Sequence, residues 1–215
     1  MVTLMENNSA DSADLIERAR AGDREALSAL LARYRDRLRR MVDMRLDTRL
    51  QARLDASDVV QEAVDVAERL EEYLRDPKLP FFLWLRLVVG ERLVRLHRQH
   101  LGAQMRDAGR EVSLFRGALP AASSAALAAQ LLGKFTSPTQ AVVRAERILR
   151  VQEALNTLDR VDREILSLRH FEQLTAAETA QVLGIEESAA AKRYFRALKR
   201  LKGILTSMPG GQEGL

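Results

Sequence analysis

The stretch Leu174–Leu205, LTAAETAQVLGIEESAAAKRYFRALKRLKGIL, constrains the fold more than any other part of this chain. Thr175 and Glu178 stand at the S/T-x-x-E spacing of a capping box, in which a hydroxyl and a carboxylate satisfy two N–H groups at a helix start. Gly184 ends that short helix, as the residue that tolerates a left-handed turn. Ile185 is expected to pack into the corner. A second helix follows from about Glu186–Ser188. Its apolar positions, Ala190, Tyr194, Ala197, Leu201 and Ile204, recur every three or four residues and form one stripe. Lys192, Arg193, Arg196, Lys199, Arg200 and Lys202 lie off that stripe, and no acidic residue falls between Ser188 and Leu205.

A capped helix, a glycine turn and a helix with one basic side form a helix-turn-helix, whose second helix enters the DNA major groove. Its leading residues reach base edges, and cations further along grip phosphates. Ser188, Ala189, Lys192 and Arg193 are therefore expected in the groove, with Arg196, Lys199 and Arg200 on the backbone. The competing reading is a helix packed on its own domain with a solvated basic face. Three signals in register, and a face of one charge sign, weigh against it.

The rest of the chain also reads as helical. One helix is expected at about 12–21, stopped by Gly22. A second starts at Asp23, with Ala26, Leu27, Leu30, Leu31, Tyr34, Leu38, Met41 and Val42 at helical spacing. A third follows a cap at Asp55 or Ser57 and runs to Leu74. A loop, Arg75–Pro80, leads to a fourth at about 81–100. Beyond Leu101 the pattern dissolves, and 102–137 reads as an alanine- and serine-rich linker. Pro138 suits a first helical position and opens a helix to about Leu158. Another covers 162–171. The fold class is all-α, with two small helical domains at 12–101 and 138–206. Extended, about 36 linker residues reach ~120 Å. As a coil they average about 35 Å, one turn of DNA.

With 34 basic and 30 acidic side chains the net charge is only +4, but cations concentrate in 86–110 and in the last helix. That pattern gives local electrostatic footprints. The absence of cysteine excludes a disulfide scaffold and cysteine-ligated metal, and it suits a reducing cytoplasm. The longest apolar run, 81–89, is too short to span a bilayer.

Four motifs in order resemble the extracytoplasmic-function (ECF) sigma factors of RNA polymerase. Ala19–Ala26, ARAGDREA, matches the usual opening of their region 2.1. Asp58-Val59-Val60-Gln61-Glu62 matches the D-L-V-Q-E of region 2.2. Phe82-Leu83-Trp84-Leu85 matches the start of region 2.4, and 158–185 looks like region 4. The resemblance covers about 12–205. It implies that Asp58, Gln61 and Glu62 dock on the clamp helices of core RNA polymerase. It also implies that region 2 opens the promoter −10 element. Lys78 lies in the loop resembling the family's base-capturing loop, Phe81 and Trp84 adjoin it, and Arg86, Arg92, Arg95 and Arg98 follow. An opened strand needs such cations and flat surfaces, although a lone tryptophan on an apolar stripe more often packs inward.

Region 4 would then read the −35 element and bind the polymerase flap. Ala189, Ala190 and Ala191 stand where the family often has threonine-valine-lysine, so its base code does not transfer. Thr179 replaces a usual aliphatic residue and fits if its methyl packs inward. An anti-sigma factor is left open as a partner.

No catalytic constellation, phosphate loop or metal set is evident. His97 and His100 lack a nearby carboxylate or cysteine to complete a site. No cofactor and no enzymatic activity are expected. Two other readings stay open: a two-domain regulator that binds duplex DNA without joining the polymerase, and a polymerase-binding adaptor.

Overall fold

Short acidic and hydroxyl side chains start the helices of this chain, and apolar stripes then pack them. A computed structural model describes residues 12–51, 53–64, 67–101, 119–132 and 138–207. Helix α1 (12–20) stops at Gly22, whose φ of +91° an L side chain rarely adopts. The Asp23 carboxylate then accepts the N–H groups of Glu25 and Ala26 at 2.9 and 3.0 Å, capping α2 (Arg24–Arg45). A short α3 (Thr48–Gln51) follows. Asp55, rather than Ser57, opens α4 (Ala56–Val64) by accepting the Ser57 N–H at 2.6 Å. The expected third helix is seen as α4 and α5 (Ala67–Arg75) on either side of 65–66. Pro80 precedes α6 (Phe81–Leu101), and its carbonyl accepts the Trp84 N–H at 3.1 Å.

Leu30, Leu38 and Met41 of α2 meet Val59 and Val60 of α4, Leu70 of α5, and Leu85, Val89 and Leu93 of α6 in the first core. Each such buried side chain contributes about 1.5–3 kcal/mol relative to exposure. The second core joins α7 (Ser124–Leu131), α8 (Pro138–Thr157), α9 (Arg160–Leu166), α10 (Ala176–Leu183) and α11 (Glu187–Ser207). No strand occurs among the described residues, so the fold is all-α.

The expected linker needs correction in its second half. Ser123 caps α7 through the Ala126 N–H, and Leu127 and Ala128 are fully buried against the second core. Alanine and serine there build a helix that packs closely, not a tether. Residues 102–118 and 133–137 lie outside the described residues.

The two cores also touch. A π-helical turn, Ser167–Phe171, continues α9 and widens the helix by one residue. The corner that follows holds Gln173 at φ +55°, and the Leu174 N–H returns to the Leu168 carbonyl at 2.9 Å. Leu168 and Leu174 enter the first core, while Met44 of α2 enters the second.

Candidate nucleic-acid and polymerase interfaces

The helix pair at the C-terminus has the local geometry expected of it. Thr175 Oγ1 accepts the Glu178 N–H at 3.1 Å, and the Glu178 carboxylate accepts the Thr175 N–H at 2.8 Å. Gly184 adopts φ +62°, and the Ile185 N–H reaches back to the Ala180 carbonyl at 3.0 Å. Ile185 itself stays exposed rather than filling the corner, because its backbone closes the turn without it. Thr179 is fully buried, and its hydroxyl donates to the Thr175 carbonyl at 2.7 Å, which leaves the methyl to pack inward.

Ala190, Ala197 and Leu201 of α11 are buried, with Tyr194 and Ile204 half-buried beside them. The opposite side presents Ser188, Ala189, Lys192, Arg196 and Lys199 to solvent. Two expected DNA contacts are held elsewhere. Arg193 Nε donates to Asp162 at 2.9 Å, and its second nitrogen reaches Asp159 at 3.2 Å. Arg200 donates to Asp162 at 2.8 Å but keeps more than half of its side chain exposed. Asp159 caps α9, and the Asp162 N–H, helped by Arg193, holds its carboxyl below the usual value. Arg193 thus ties α11 to α9 in this arrangement. Phe195, absent from the sequence expectation, is 68% exposed on the outward side between Lys192 and Lys199. Its signal was present: an aromatic three residues from one lysine and four from the next lies among them.

The expected −10 surface divides into a buried part and an open part. Phe81 is buried, packed in a ring cluster with Tyr34, Tyr73 and Trp84 at centroid distances of 5.4–5.8 Å. It supports the surface rather than forming it. Trp84 is half-buried and stacks on Tyr73 at 4.8 Å. These two rings line a cavity of about 530 Å³ with Glu72, Asp76, Lys78, Leu79 and Leu87. Gln181 of α10 lines it too, so the second cluster stands at its edge. Tyr73 donates to the Leu79 carbonyl at 2.9 Å, and burial pushes its phenol up to about 12.

Of the arginines on α6, Arg95 and Arg98 are exposed. Arg92 is paired with Glu62. Arg86 is 8% exposed and donates to Glu172 at 2.6 Å, so it offers nothing to DNA in this arrangement. A sequence cannot show that pairing, because 86 positions separate the partners.

Asp58, Gln61 and Glu62 are exposed together on one face of α4, while Val59 and Val60 anchor the other. Near the far end of α6, His97 is buried and accepts the Asp47 N–H at 3.4 Å. Burial lowers its pKa, which suits a neutral structural imidazole. The hydrogen bonds and charge of Arg49 hold Asp47 down at about 2. Among the described residues no cluster of histidine and carboxylate side chains could hold a metal ion.

Residues 148–201 match the family model for Sigma-70, region 4. Over 188 residues the chain is 31% identical to the ECF RNA polymerase sigma factor SigD of Mycobacterium tuberculosis, and equally to that of Mycobacterium bovis. The match spans 87% of this chain and 81% of the relative.

The chain belongs to the ECF RNA polymerase sigma factors. It is a sigma factor that binds core RNA polymerase and directs initiation at selected promoters, and it catalyses no reaction itself. Its fold resembles that of CnrH in complex with the cytosolic domain of CnrY, with a TM-score of 0.52 at 22% identity over 93% of this chain and 99% of the other. This sigma factor has no helix, among its described residues, long and apolar enough to cross a membrane.

Proposed function

We propose that the sigma factor reads a promoter at two points, with α11 on the −35 element and the α5–α6 surface on the opened −10 strand. The outward face of α11 carries this reading. Lys192, Arg196 and Lys199 are exposed there, and no ion pair among the described residues holds them. Cations left free in this way release counterions from DNA when they meet phosphates. Ser188 and Ala189 stand at the leading edge, where base edges are reached. On the first cluster, the half-buried Trp84, backed by the buried Tyr73, and Lys78 offer a flat ring and a cation at a cavity of a size suited to an unstacked base. Arg95 and Arg98 continue that surface.

The exposed Asp58, Gln61 and Glu62 are the proposed contact with the polymerase clamp, and region 4 the contact with the flap. The proposed first domain is 12–101, and the second is 138–206 together with α7, which packs on its core. The cytoplasm is the proposed location. An anti-sigma factor belongs to the same proposal, since CnrH, which shares this fold, was solved with the cytosolic domain of CnrY.

Reconstituted transcription with bacterial core polymerase tests the reading. The expected result is co-elution with core and specific initiation, lost when Asp58 and Glu62 are both replaced by Ala. The double change Lys192→Ala and Arg196→Ala should weaken −35 binding and reduce its salt slope by about one unit for each phosphate that is no longer neutralised. An unchanged slope with both clusters folded would remove α11 from the DNA.

A further inference from the structure

We infer that the corner Phe171–Leu174 is an internal latch that shuts the second cluster onto the −10 surface of the first, with Glu172 as its bolt. The inference rests on the placement of the −10 surface on α5 and α6.

Glu172 is 0% exposed and lies between two guanidiniums of the first cluster. Arg86 Nε donates to one carboxylate oxygen at 2.6 Å, and Arg45 pairs with the other at 2.7 Å. Arg45 also pairs with Glu164 of α9, which stands 3.7 Å from Arg86. Two cations from one cluster therefore meet two anions from the other. Backbone contacts extend the grip. Arg37 donates to the carbonyls of Glu172 and Gln173 at 2.9 and 3.1 Å, and Arg40 to that of Phe171 at 3.1 Å. All four arginines lie on α2 or α6, and all four acceptor residues belong to the second cluster.

The chemistry of this contact suits a device that must open. An apolar interface of the same extent loses hydrophobic stabilisation when it parts. This seam is mixed: Leu168 and Leu174 give up apolar burial on parting, but the charges removed from water recover hydration, so the ion-pair network itself fixes the register with little net stabilisation. Arg45 Nε is buried with no acceptor among the described residues, which adds to the cost of staying shut. Removing one charge from the set is a different matter. It strands the remaining partners without water and strongly disfavours the closed form.

Closure has a target. It withholds Arg86 from solvent and sets Gln181 at the rim of the cavity lined by Trp84 and Lys78. In this form the free sigma factor has its −35 helix exposed, while on its −10 surface Arg86 is buried and Gln181 stands in the lining of the cavity. Core polymerase, by separating the two clusters, would complete the strand-binding surface only in the assembled enzyme.

The chain contains no cysteine, so two introduced thiols are the only ones present. Glu72→Cys and Gln181→Cys place one thiol on each cluster in the lining of that cavity. A short bifunctional maleimide should join them in the free protein, and core polymerase should prevent the reaction. Glu172→Gln, in the same background, should lose most of the cross-link. Without the cysteine pair it should bind a fluorescent single-stranded −10 oligonucleotide about tenfold more tightly than the parent, because apparent affinity scales with the open fraction. Its transcription with core should be unchanged.

The double variant Arg37→Ala and Arg40→Ala loosens the corner from the other side and should move both readouts the same way. It decides the matter if Glu172→Gln does not fold. Equal cross-linking and equal strand affinity in folded variants would overturn the latch. Loss of the cross-link without tighter strand binding would support the latch and overturn the placement of the −10 surface instead.

Discussion

Phe195 shows how one side chain changes the account of the −35 helix. An aromatic ring 68% exposed on a solvent-facing helix side forgoes hydrophobic stabilisation unless something covers it. Its neighbours on that face are Lys192 and Lys199, which are proposed as phosphate contacts. In a major groove the apolar feature within reach is the thymine methyl group, which Phe can contact. Phe195→Ala should therefore weaken binding to a −35 duplex where a thymine faces it, by at most the about 1–3 kcal/mol that the readout of one base pair is worth. It should leave the salt slope intact, since every phosphate keeps its cation. Fluorescence anisotropy at several salt concentrations reads both quantities, and a changed slope with unchanged affinity for the thymine site would contradict this role. The residue was legible by spacing, but sorting the helix by charge hid it. The pairing of Arg193 was hidden for the converse reason. Its charge matched the face, whereas Asp159 and Asp162, more than thirty positions upstream, claim it.

At the scale of elements, local signals served well wherever the deciding partner was nearby in sequence. The capping box of Thr175 and Glu178 and the left-handed Gly184 formed as their spacing implies. Thr175→Ala should cost about 1 kcal/mol of stability, the usual loss for such a cap. Urea unfolding followed by circular dichroism measures this, and a midpoint equal to that of the parent would show that the buried Thr179 and the turn hold α10 without the cap. Helix α7 was not legible, because alanine and serine in low-complexity sequence carry no periodicity. What fixes that helix is tertiary. Leu127 and Ala128 fit against α8, and the Ser123 N–H donates to the Met44 carbonyl at 2.7 Å. Gly90 on α6 makes a related accommodation. A Cβ there would stand 2.3 Å from Leu119 Cδ2, so the glycine gives room for the segment that leads to α7. Alanine at 90 should raise helix propensity by about 1 kcal/mol yet displace the Leu119 side chain. Thermal unfolding should thus change little, while protease cleavage near 119 should quicken. A raised melting temperature with unchanged cleavage would show that Leu119 shifts without loosening its segment.

For the whole molecule, the two-cluster plan was readable from apolar stripes, but the contact between clusters was not. Arg37, Arg40 and Arg45 look in sequence like a solvated helix face, and Arg86 like a contact to the −10 strand. Their acceptors lie on a corner shaped by a π-helical turn that no local pattern announces. The same charges make closure depend on pH. Burial pushes the Glu172 carboxyl up, but Arg45 and Arg86 outweigh it and hold the group below its ordinary value. Burial opposes the charge on Arg45 too, and Glu164 and Glu172 more than restore it, so that partner stays cationic. A carboxyl depressed in the closed form stabilises that form fully above the ordinary carboxylate range. The stabilisation is lost as pH falls through the depressed value. Closure should therefore hold at neutral pH and weaken in acid. Small-angle scattering should report a radius of gyration that is constant from about pH 7 to about pH 5 and grows only as pH is taken below about 4, the ordinary glutamate value. With Glu172→Gln the chain should already be expanded at neutral pH and show a smaller acid step, because the residue that titrates is gone. A parent protein whose dimensions stay constant in acid as well would show that Glu172 does not govern closure. So would a Glu172→Gln chain with an undiminished step.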